Sequence, residues 1–530
     1  MKQITIFLGI FLCIFLCSCY DDLGNYEYKE INEIAFEGID GITLNGWNEK
    51  IAHVDTLKLY PQFNSSLAKD ESAYTYEWKF IPDGADETID GDTLDYVVAT
   101  TRNLIWPVTL AADDYRCFFT VTDTVSHLRF TQKFYLRIST MTSEGWMVLC
   151  NQDGVARLDM IVNVSENEDI ISRDIWSESD FMPGVPEQII YNFYSTNPPG
   201  TISLLVTDKG TFKLDQDDLH AGDDNNLRWS FGAQPERIIV RASGTNLYNW
   251  VKETDEYYPL YWVIVDDKGD VYCNTVSEVG GLFEFPINEI DGQKFEAAPF
   301  VGVAYRYFRQ GDLAATSTLL FDKTNQRFVE IKAGAGAPSV MKFESESLFS
   351  VSQEGKEMVF MQNTNDNGLT YAILKDGAGD YYYYGIKLGS QGKNTQECYG
   401  KLEGPDLDKV THFACHPNYG WLFYATKDMV YKFDMNKPER GVKVVASFPG
   451  ETIRVLKFNP FVAFRVYEGW QDNRTLHLVV GSTVDGASLE KCGIVRTYDF
   501  ATQWEEACTL KKEHKDLGNI IDIAYKEKKL

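Results

Sequence analysis

Apolar and polar residues alternate in short runs along most of the chain, and clusters of glycine, aspartate and asparagine separate the runs. Alternation with a period of two predicts β-strands, because successive side chains of a strand point to opposite faces of the sheet. From residue 141 onward a hairpin recurs at intervals of 51 to 58 residues, with turns such as Asp208-Lys209-Gly210. Its first strands are Trp146–Leu149, Ile202–Val206, Leu260–Val265, Thr318–Phe321, Leu369–Leu374, Trp421–Tyr424 and Leu476–Val480.

A further apolar strand precedes every hairpin except the first. These strands are Gln188–Tyr191, Arg237–Val240, Pro299–Val303, Glu357–Phe360, Val410–Ala414 and Ile453–Phe458. A seventh, Ile520–Ala524, has no hairpin after it, and in a ring it would pair with the first hairpin and leave no open sheet edge. The repeat predicts a seven-bladed β-propeller over residues 141–530, closed by the C-terminal strand. A ring of six or eight blades is the structural alternative.

Residues 30–140 lack this repeat and predict a separate β-sandwich. Its expected strands are Thr56–Tyr60, Tyr74–Phe80, Leu104–Trp106, Tyr115–Thr122 and Phe130–Ile138. Trp78 lies in a central strand, where immunoglobulin-type folds bury a tryptophan, and Tyr115 stands two residues before Cys117, as in a tyrosine corner. The earlier strand has no cysteine to pair with Cys117. The whole chain is therefore predicted to be all-β: an N-terminal PKD/Ig-like β-sandwich followed by the propeller.

The N-terminus predicts a lipoprotein signal peptide over residues 1–18. The apolar run Ile4–Leu16 would span about 20 Å as a helix, too short for a bilayer core of about 30 Å. Leu16-Cys17-Ser18-Cys19 resembles a bacterial lipobox, which makes Cys19 the expected site of lipidation. In the linker at residues 19–29, Asp21 and Asp22 resemble a surface-export signal. The alternatives are an ordinary cleaved signal and an acidic linker that faces the periplasm.

The charge of the chain narrows the choice of partners. A formal net charge of −28 over 530 residues argues against nucleic acid, which demands clustered lysine and arginine. The seven cysteines after Cys19 are scattered and form no C-x-x-C pair, so neither a disulfide framework nor a zinc site is predicted. We expect no metal and no cofactor.

Motifs that would specify a reaction are missing from the sequence. It has no G-x-S-x-G, H-E-x-x-H, P-loop or G-x-G-x-x-G segment. His412 and His416 stand four residues apart, but in a strand and its following turn, and we interpret them as structural. The 78 acidic residues leave paired carboxylates open, so a hydrolase or lyase remains the catalytic alternative.

Aromatic residues are concentrated in the loops that join each lone strand to its hairpin. Aromatic rings stack on sugars or peptide side chains at little cost in rotamer entropy, so these loops predict a ligand-binding face. The candidate residues are Trp250, Tyr257, Tyr258, Tyr305, Tyr307, Tyr419, Tyr467 and Trp470. The alternative is that the rings pin loops in place. Three Asp-Thr-apolar segments also suggest O-glycosylation at Thr56, Thr93 and Thr124.

Taken together, the stretch from Cys19 to Tyr28, the Tyr76-Glu77-Trp78 strand and the propeller repeat resemble the PKD-like family lipoproteins of Bacteroidetes. Leu23 departs from the basic residue expected there. The resemblance implies a lipid-anchored protein of the outer membrane, facing the cell surface, beside a TonB-dependent transporter and its substrate-capturing lipoprotein. It implies a binding or scaffold role in uptake of a glycan or peptide. An enzyme acting on that nutrient and a purely structural partner are the alternatives.

Overall fold

The computed structural model describes residues 30–39, 48–67, 69–85, 96–164, 166–177, 181–196, 199–246, 250–251, 256–257, 261–275, 281–303, 317–332, 335–364, 366, 368–389, 392–458, 474–499 and 503–527. The chain divides into two compact units, Met1–Ser139 and Thr140–Leu530. Within the described residues the regular structure is β-strand with six short 3₁₀ turns, and no helix is long and apolar enough to cross a membrane. The 3₁₀ turns are Glu71–Ala73, Asp223–Asn225, Leu227–Ser230, Leu407–Lys409, Pro438–Arg440 and Arg474–Leu476.

The first unit contains nine strands in its described part. They are β1 (Ile34–Glu37), β2 (Asn48–Ile51), β3 (Thr56–Leu59), β4 (Gln62–Ser65), β5 (Tyr74–Pro82), β6 (Val97–Ala99), β7 (Leu104–Pro107), β8 (Asp113–Asp123) and β9 (Arg129–Ser139). A five-stranded sheet has the order β2-β9-β8-β5-β6, and β1-β4 and β3-β7 form two-stranded sheets. Side chains from all three sheets share one apolar core, so the unit is a β-sandwich.

The two features that predicted this sandwich are confirmed. Trp78 is fully buried, and the centroid of its ring lies 4.3 Å from that of Phe119. The hydroxyl of Tyr115 donates a hydrogen bond to the carbonyl of Ala111 at 3.0 Å, which is the geometry of a tyrosine corner. Cys117 is buried as a free thiol.

The second unit contains thirty strands in its described part. They are β10 (Gly145–Gln152), β11 (Val155–Asn163), β12 (Asp169–Ser172), β13 (Pro186–Thr196), β14 (Pro199–Thr207), β15 (Gly210–Leu214), β16 (Val240–Asn246), β17 (Trp250–Val251), β18 (Glu256–Tyr257), β19 (Tyr261–Asp266), β20 (Val271–Thr275), β21 (Glu289–Ile290), β22 (Gln293–Lys294), β23 (Gly302–Val303), β24 (Thr318–Asp322), β25 (Arg327–Ile331), β26 (Pro338–Val340), β27 (Lys356–Asn363), β28 (Leu369–Asp376), β29 (Tyr381–Lys387), β30 (Thr395–Lys401), β31 (His412–Cys415), β32 (Trp421–Ala425), β33 (Met429–Asp434), β34 (Val442–Ser447), β35 (Glu451–Phe458), β36 (Leu478–Val484), β37 (Gly493–Asp499), β38 (Thr509–Leu517) and β39 (Ile520–Lys526).

Over the described ranges these strands form seven antiparallel sheets of three or four strands. The sheets are β39-β10-β11-β12, β13-β14-β15, β16-β19-β20, β23-β24-β25-β26, β27-β28-β29-β30, β31-β32-β33-β34 and β35-β36-β37-β38, while β17-β18 and β21-β22 are small hairpins. The first strand of each sheet contacts the first strand of the next, in the cyclic order β39, β13, β16, β23, β27, β31, β35 and back to β39. A closed ring of sheets around their inner strands is a β-propeller.

The ring closes through the pairing of β39 with β10, from Gly145 opposite Lys526 to Cys150 opposite Ile520. This is the pairing that the sequence predicted for Ile520–Ala524. With β39 on one side and β11 on the other, β10 has a partner at both edges. The strand β39 also contacts the inner strands β13 and β35 of the neighbouring sheets, which closes the ring.

Four predicted strands begin later than expected, among them Val410–Ala414, because β31 begins at His412. The run Arg237–Ile239 precedes β16 instead of belonging to it, because Ile238 and Ile239 are buried by side-chain packing and not by strand pairing. In the run Pro299–Val303, only Gly302 and Val303 pair. Arg474–Leu476 is a 3₁₀ turn, and β36 begins at Leu478.

Glycine supplies positive φ in three of the predicted hairpin turns, at Gly154 (φ 85°), Gly210 (φ 147°) and Gly269 (φ 76°). In the turn after β28 the positive φ falls at Gly379 (φ 91°) and not at Gly377. That turn is longer than a two-residue hairpin. The carboxylate of Asp376 closes it by accepting the amides of Ala378 and Asp380 at 2.9 and 3.0 Å.

Candidate functional site

The inner strands of four successive sheets enclose a cavity of about 720 Å³ in the propeller channel. It is lined by residues of β27, of β31 and the two residues before it, of β35 and of β39. Lys375 at the end of β28 and Tyr381 at the start of β29 complete the wall. The cavity therefore reaches the end of the channel at which the hairpin turns lie.

Side-chain hydrogen bonds between neighbouring inner strands hold this wall in place. The amide group of Gln362 on β27 accepts the backbone N–H of Cys415 and donates to its carbonyl, both at 2.9 Å. On β35, Lys457 binds the carboxylate of Asp522 and the carbonyl of Ile523 (2.9 Å), both on β39. Asp522 in turn accepts the amide of Ile189 on β13 at 3.1 Å. These hydrogen bonds link β27 to β31, β35 to β39 and β39 to β13.

One wall of the cavity is aromatic. The ring centroids of Phe360 and Phe413 lie 5.9 Å apart, and Tyr381 meets Phe413 edge to face at 5.4 Å. Such arrangements fix the orientation of the rings and present an apolar surface. The other apolar lining residues are Val359, Met361, Val410, Val455, Leu456, Phe458 and Ile521.

The charged lining residues differ in how far they are already paired. Lys457 and Asp522 neutralise each other. Arg454 is exposed and makes one hydrogen bond, from Nε to Thr483 Oγ1 at 3.2 Å, and its two terminal nitrogens have no hydrogen bond or ion pair to any described residue. Lys375 lies 5.0 Å from the ring centroid of Tyr381 and, among the described residues, forms no ion pair. Two cations therefore keep free donors at the cavity.

His412 adds a neutral polar group to the same wall. It is half-buried, and its Nδ1 lies 2.9 Å from the hydroxyl oxygen of Thr411. Burial lowers the pKa of His412, and the charges of Lys457 and Arg454 lower it further, against a backbone hydrogen bond at Arg454 that raises it. The imidazole is thus uncharged near pH 7, and its two nitrogens face the hydroxyl of Thr411 and the backbone of Arg454.

His412 and His416 have different surroundings. His416 is buried among Tyr419, Trp421 and Phe458, and burial lowers its pKa to about 3. His412 lines the cavity. The strand β31 ends at Cys415, so His416 lies in the turn after it and does not continue the face on which His412 lies.

Two carboxylates occur among the described residues that line the cavity, and they are not equivalent. Asp522 accepts hydrogen bonds from Lys457, from Ile189 and from the amide of Ile523 at 2.8 Å. Glu357 is exposed and accepts no hydrogen bond from the described residues. The described ranges also contain no group of three or more His, Cys, Asp or Glu side chains placed to hold a metal ion. The arrangement offers cations, a neutral imidazole and an aromatic wall, which together can bind a small molecule.

Most residues predicted for the site lie outside the described ranges. These are Cys19, Asp21, Asp22, Thr93, Tyr258, Tyr305, Tyr307, Tyr467 and Trp470. Trp250 in β17 pairs with Tyr257 in β18, in the loop between β16 and β19. This loop is at the end of the blade opposite the hairpin turns, because β16 and β19 are antiparallel.

Tyr419 and the two described threonines have defined surroundings. Tyr419 is half-buried and stacks on Trp421, with ring centroids 4.7 Å apart, so part of its ring packs against the hydrophobic core. Thr56 is exposed at the start of β3. Thr124 is exposed, and its hydroxyl donates to the carbonyl of Ala73 at 3.0 Å.

The lining residues that sequence reasoning missed share a recognisable position. Glu357, His412, Arg454, Lys457 and Asp522 are polar or charged residues within otherwise apolar inner strands. An inner strand of a propeller has one face towards the channel, and a charged residue there stays close to water. Polar interruptions of the lone strand before each hairpin would have been the signal.

The chain is similar to one protein family and to several solved structures. The model of the PKD-like family matches residues 19–183, which include the sandwich and β10 to β12. No curated protein sequence matches the chain. A quinoprotein alcohol dehydrogenase-like protein from Bacteroides thetaiotaomicron is similar in structure (TM-score 0.41, 9% identity, 93% of this chain and 99% of that chain covered). So is the periplasmic gluconolactonase of Pseudomonas aeruginosa (TM-score 0.41, 10% identity, 72% and 98% covered). These similarities concern the fold and not the activity.

Proposed function

We propose that the protein binds a small solute in its channel cavity and serves as an accessory binding component of nutrient uptake at the cell surface. The cavity carries the proposal. Ligand sites of proteins have volumes of about 300 to 1,000 Å³, apolar walls and a few convergent polar groups. A cavity of about 720 Å³ with an aromatic wall and with Arg454, Lys375 and His412 at its edge has these properties.

Binding fits the side chains of the cavity better than hydrolysis of a glycoside does. A glycosidase needs two carboxyl groups on either side of the bond that is cleaved, one of them as a proton donor. Asp522 is committed to Lys457 and to two backbone amides, so Glu357 is the one carboxylate with free lone pairs among the described lining residues. The same residues suit a ligand that is held and released unchanged.

A variant that fills the cavity tests the binding role. Val410→Trp places an indole in the cavity, and Val444→Trp, on the exposed face of β34, is the matched control. Melting temperatures of the full chain are measured with a panel of oligosaccharides, short peptides and small organic acids. We expect at least one compound to raise the melting temperature of the parent and of Val444→Trp but not of Val410→Trp.

Two results would contradict the binding role. The first is that no compound stabilises the parent protein, and the second is that stabilisation persists in Val410→Trp. The same mixtures are analysed by mass spectrometry after incubation, and formation of a new product would favour the enzyme alternative instead.

The proposal also includes the localisation of the protein and its partner proteins. The lipobox supports anchoring through acylated Cys19, and Asp21 and Asp22 support display on the cell surface next to a TonB-dependent transporter and its substrate-capturing lipoprotein. We expect Cys19→Ala to abolish acylation, and Asp21→Ala with Asp22→Ala to protect the protein from protease added to intact cells. Unchanged surface cleavage of the double variant would refute the export signal. Failure of the solubilised protein to co-purify with any transporter would refute the partnership.

A further inference from the structure

The two unpaired cations of the cavity stand out in a chain with so many acidic residues. The protein has 78 acidic and 50 basic residues, so a surface cation generally has carboxylates close by. Lys427, near Arg454, pairs with Asp485, and Lys401 pairs with Asp380. Arg454 and Lys375 nevertheless make no ion pair with a described residue.

The carboxylates closest to these two cations are already engaged or poorly placed. Asp485 binds Lys427 at 2.8 Å and Thr452 at 2.7 Å. Glu357 lies directly opposite Lys375 in the β27–β28 pairing but forms no ion pair with it. Arg454 therefore keeps both terminal nitrogens available for an acceptor from outside the chain.

Arginine is suited to one kind of acceptor above others. Its planar guanidinium can give two parallel hydrogen bonds to a carboxylate, in a geometry that lysine cannot reproduce. The uncharged His412 hydrogen-bonds the backbone of Arg454 and adds no negative charge that would compete for its guanidinium. Phe360 and Phe413 supply an apolar surface within the same cavity.

We infer that the ligand of the channel cavity is a small organic carboxylate, whose acid group binds Arg454 and whose apolar or ring portion lies against Phe360 and Phe413. This inference rests on the proposed function and narrows it to one chemical class. The strongly acidic remainder of the chain repels anions, so that binding of the acid is confined to the place where cations are unpaired.

A matched pair of probes tests the charge requirement. Sodium 3-phenylpropionate carries a phenyl ring and a carboxylate, and 3-phenylpropan-1-ol carries the same ring and an alcohol. Affinities for the full chain are measured by ligand-observed NMR. We expect Arg454→Met to weaken binding of the acid by at least about 10-fold and to change binding of the alcohol by less than about 2-fold, because a hydrogen-bonded charge pair contributes about that much.

Lys409→Met is the matched control, because it removes a positive charge from a residue that does not line the cavity and whose partner Asp406 also binds the hydroxyl of Tyr431. We expect the acid to bind this variant as it binds the parent. Equal weakening in Lys409→Met and Arg454→Met would overturn the inference, since bulk charge would then explain both. So would unchanged binding of the acid by Arg454→Met, or no binding of the acid by the parent. If the alcohol binds as tightly as the acid and Val410→Trp blocks both, the carboxylate inference fails while the binding role stands.

Discussion

Two arginines near the last sheet of the propeller, Arg474 and Arg454, have opposite surroundings. Arg474 is buried at the seam, the region where β39 joins β10 and where β12 faces β38. It binds Glu144 at 2.7 Å, Asn163 at 3.1 Å and the hydroxyl of Tyr525. Arg454 lies on β35 at the cavity and donates one hydrogen bond. The guanidinium of Arg474 thus binds three side chains, whereas that of Arg454 binds one.

The difference indicates which charged side chains affect the stability of the propeller. A buried cation is tolerated when its donors are satisfied, and removal of one partner leaves an uncompensated charge that costs about 3 to 5 kcal/mol. An exposed cation with one hydrogen bond contributes about 0 to 1 kcal/mol. Charged groups at the seam therefore stabilise the ring, whereas Arg454 and Lys375 contribute little to it and are available to a ligand.

The largest expected effect comes from removal of the strand that forms the seam. Deletion of residues 520–530 takes away β39, exposes an edge of β10 and removes the hydrogen bonds of Asp522. We expect the melting temperature of the propeller to fall by more than about 10 °C, measured by calorimetry on the full chain. Deletion of residues 528–530 alone, which follow β39, is the control. A drop within about 2 °C for the longer deletion would contradict ring closure by β39.

Next in size is the loss of one carboxylate at the seam. Burial alone would raise the pKa of Asp169, but hydrogen bonds from His514, Lys512 and Asn163 hold it below the usual value. Asp169→Asn leaves Lys512 without its anion, and we expect the propeller to lose about 3 kcal/mol, or about 5 °C in melting temperature. Asp380→Asn, whose partner Lys401 is on the surface, should cost less than about 1 kcal/mol. Equal losses in the two variants would argue against a special role of the seam.

We expect low pH to decrease the stability of the propeller even when no ligand is present. Burial lowers the pKa of His416 to about 3 and that of His477 to about 4, whereas an unfolded histidine titrates near about 6.5. Between these values the unfolded chain binds more protons, so the free energy of unfolding falls as pH decreases below about 6.5. The expected slope is about 1.4 kcal/mol per pH unit for each histidine, until the pH approaches its folded pKa.

Replacement of one histidine measures this slope. We expect His416→Gln to flatten the dependence of unfolding free energy on pH between 6.5 and 4, with urea denaturation as the measurement. His220→Gln, at an exposed position in the same unit, should leave it as steep as in the parent. A parent protein whose stability is constant over this range would contradict the buried, neutral state of His416.

The fold could be predicted from the sequence because its signals are local and repeated. The strand Tyr74–Phe80 alternates strictly, and the regular spacing of the hairpins indicates a ring. The strand β6 (Val97–Ala99) was not predicted, because it is short and lies at a sheet edge, where pairing and not alternation defines it. The run Arg237–Ile239 shows the same limit, because burial without pairing looks like a strand in a sequence.

The cavity could not be predicted in the same way. Its wall joins Glu357, His412, Arg454 and Asp522 from four strands that are far apart in the chain. Whether a residue of an inner strand faces the channel depends on the register of its sheet, and a bulge between Ile453 and Val455 shifts that register next to Arg454. The aromatic composition of the loops can be read from the sequence, whereas the pairing of charged side chains depends on the three-dimensional structure.

The most direct test of the contrast between seam and cavity is the melting temperature of Arg454→Met beside that of Arg474→Met, in the full chain at pH 7 without ligand. Both changes remove one guanidinium and keep an unbranched apolar side chain, so they differ mainly in what the arginine contacts. We expect Arg474→Met to lower the melting temperature of the propeller by at least about 5 °C, since the half-buried Glu144 is left without its cation. Arg454→Met should stay within about 2 °C of the parent. An equal loss of stability in both variants would contradict the account, because Arg454 would then be part of the structural framework and not free for a ligand.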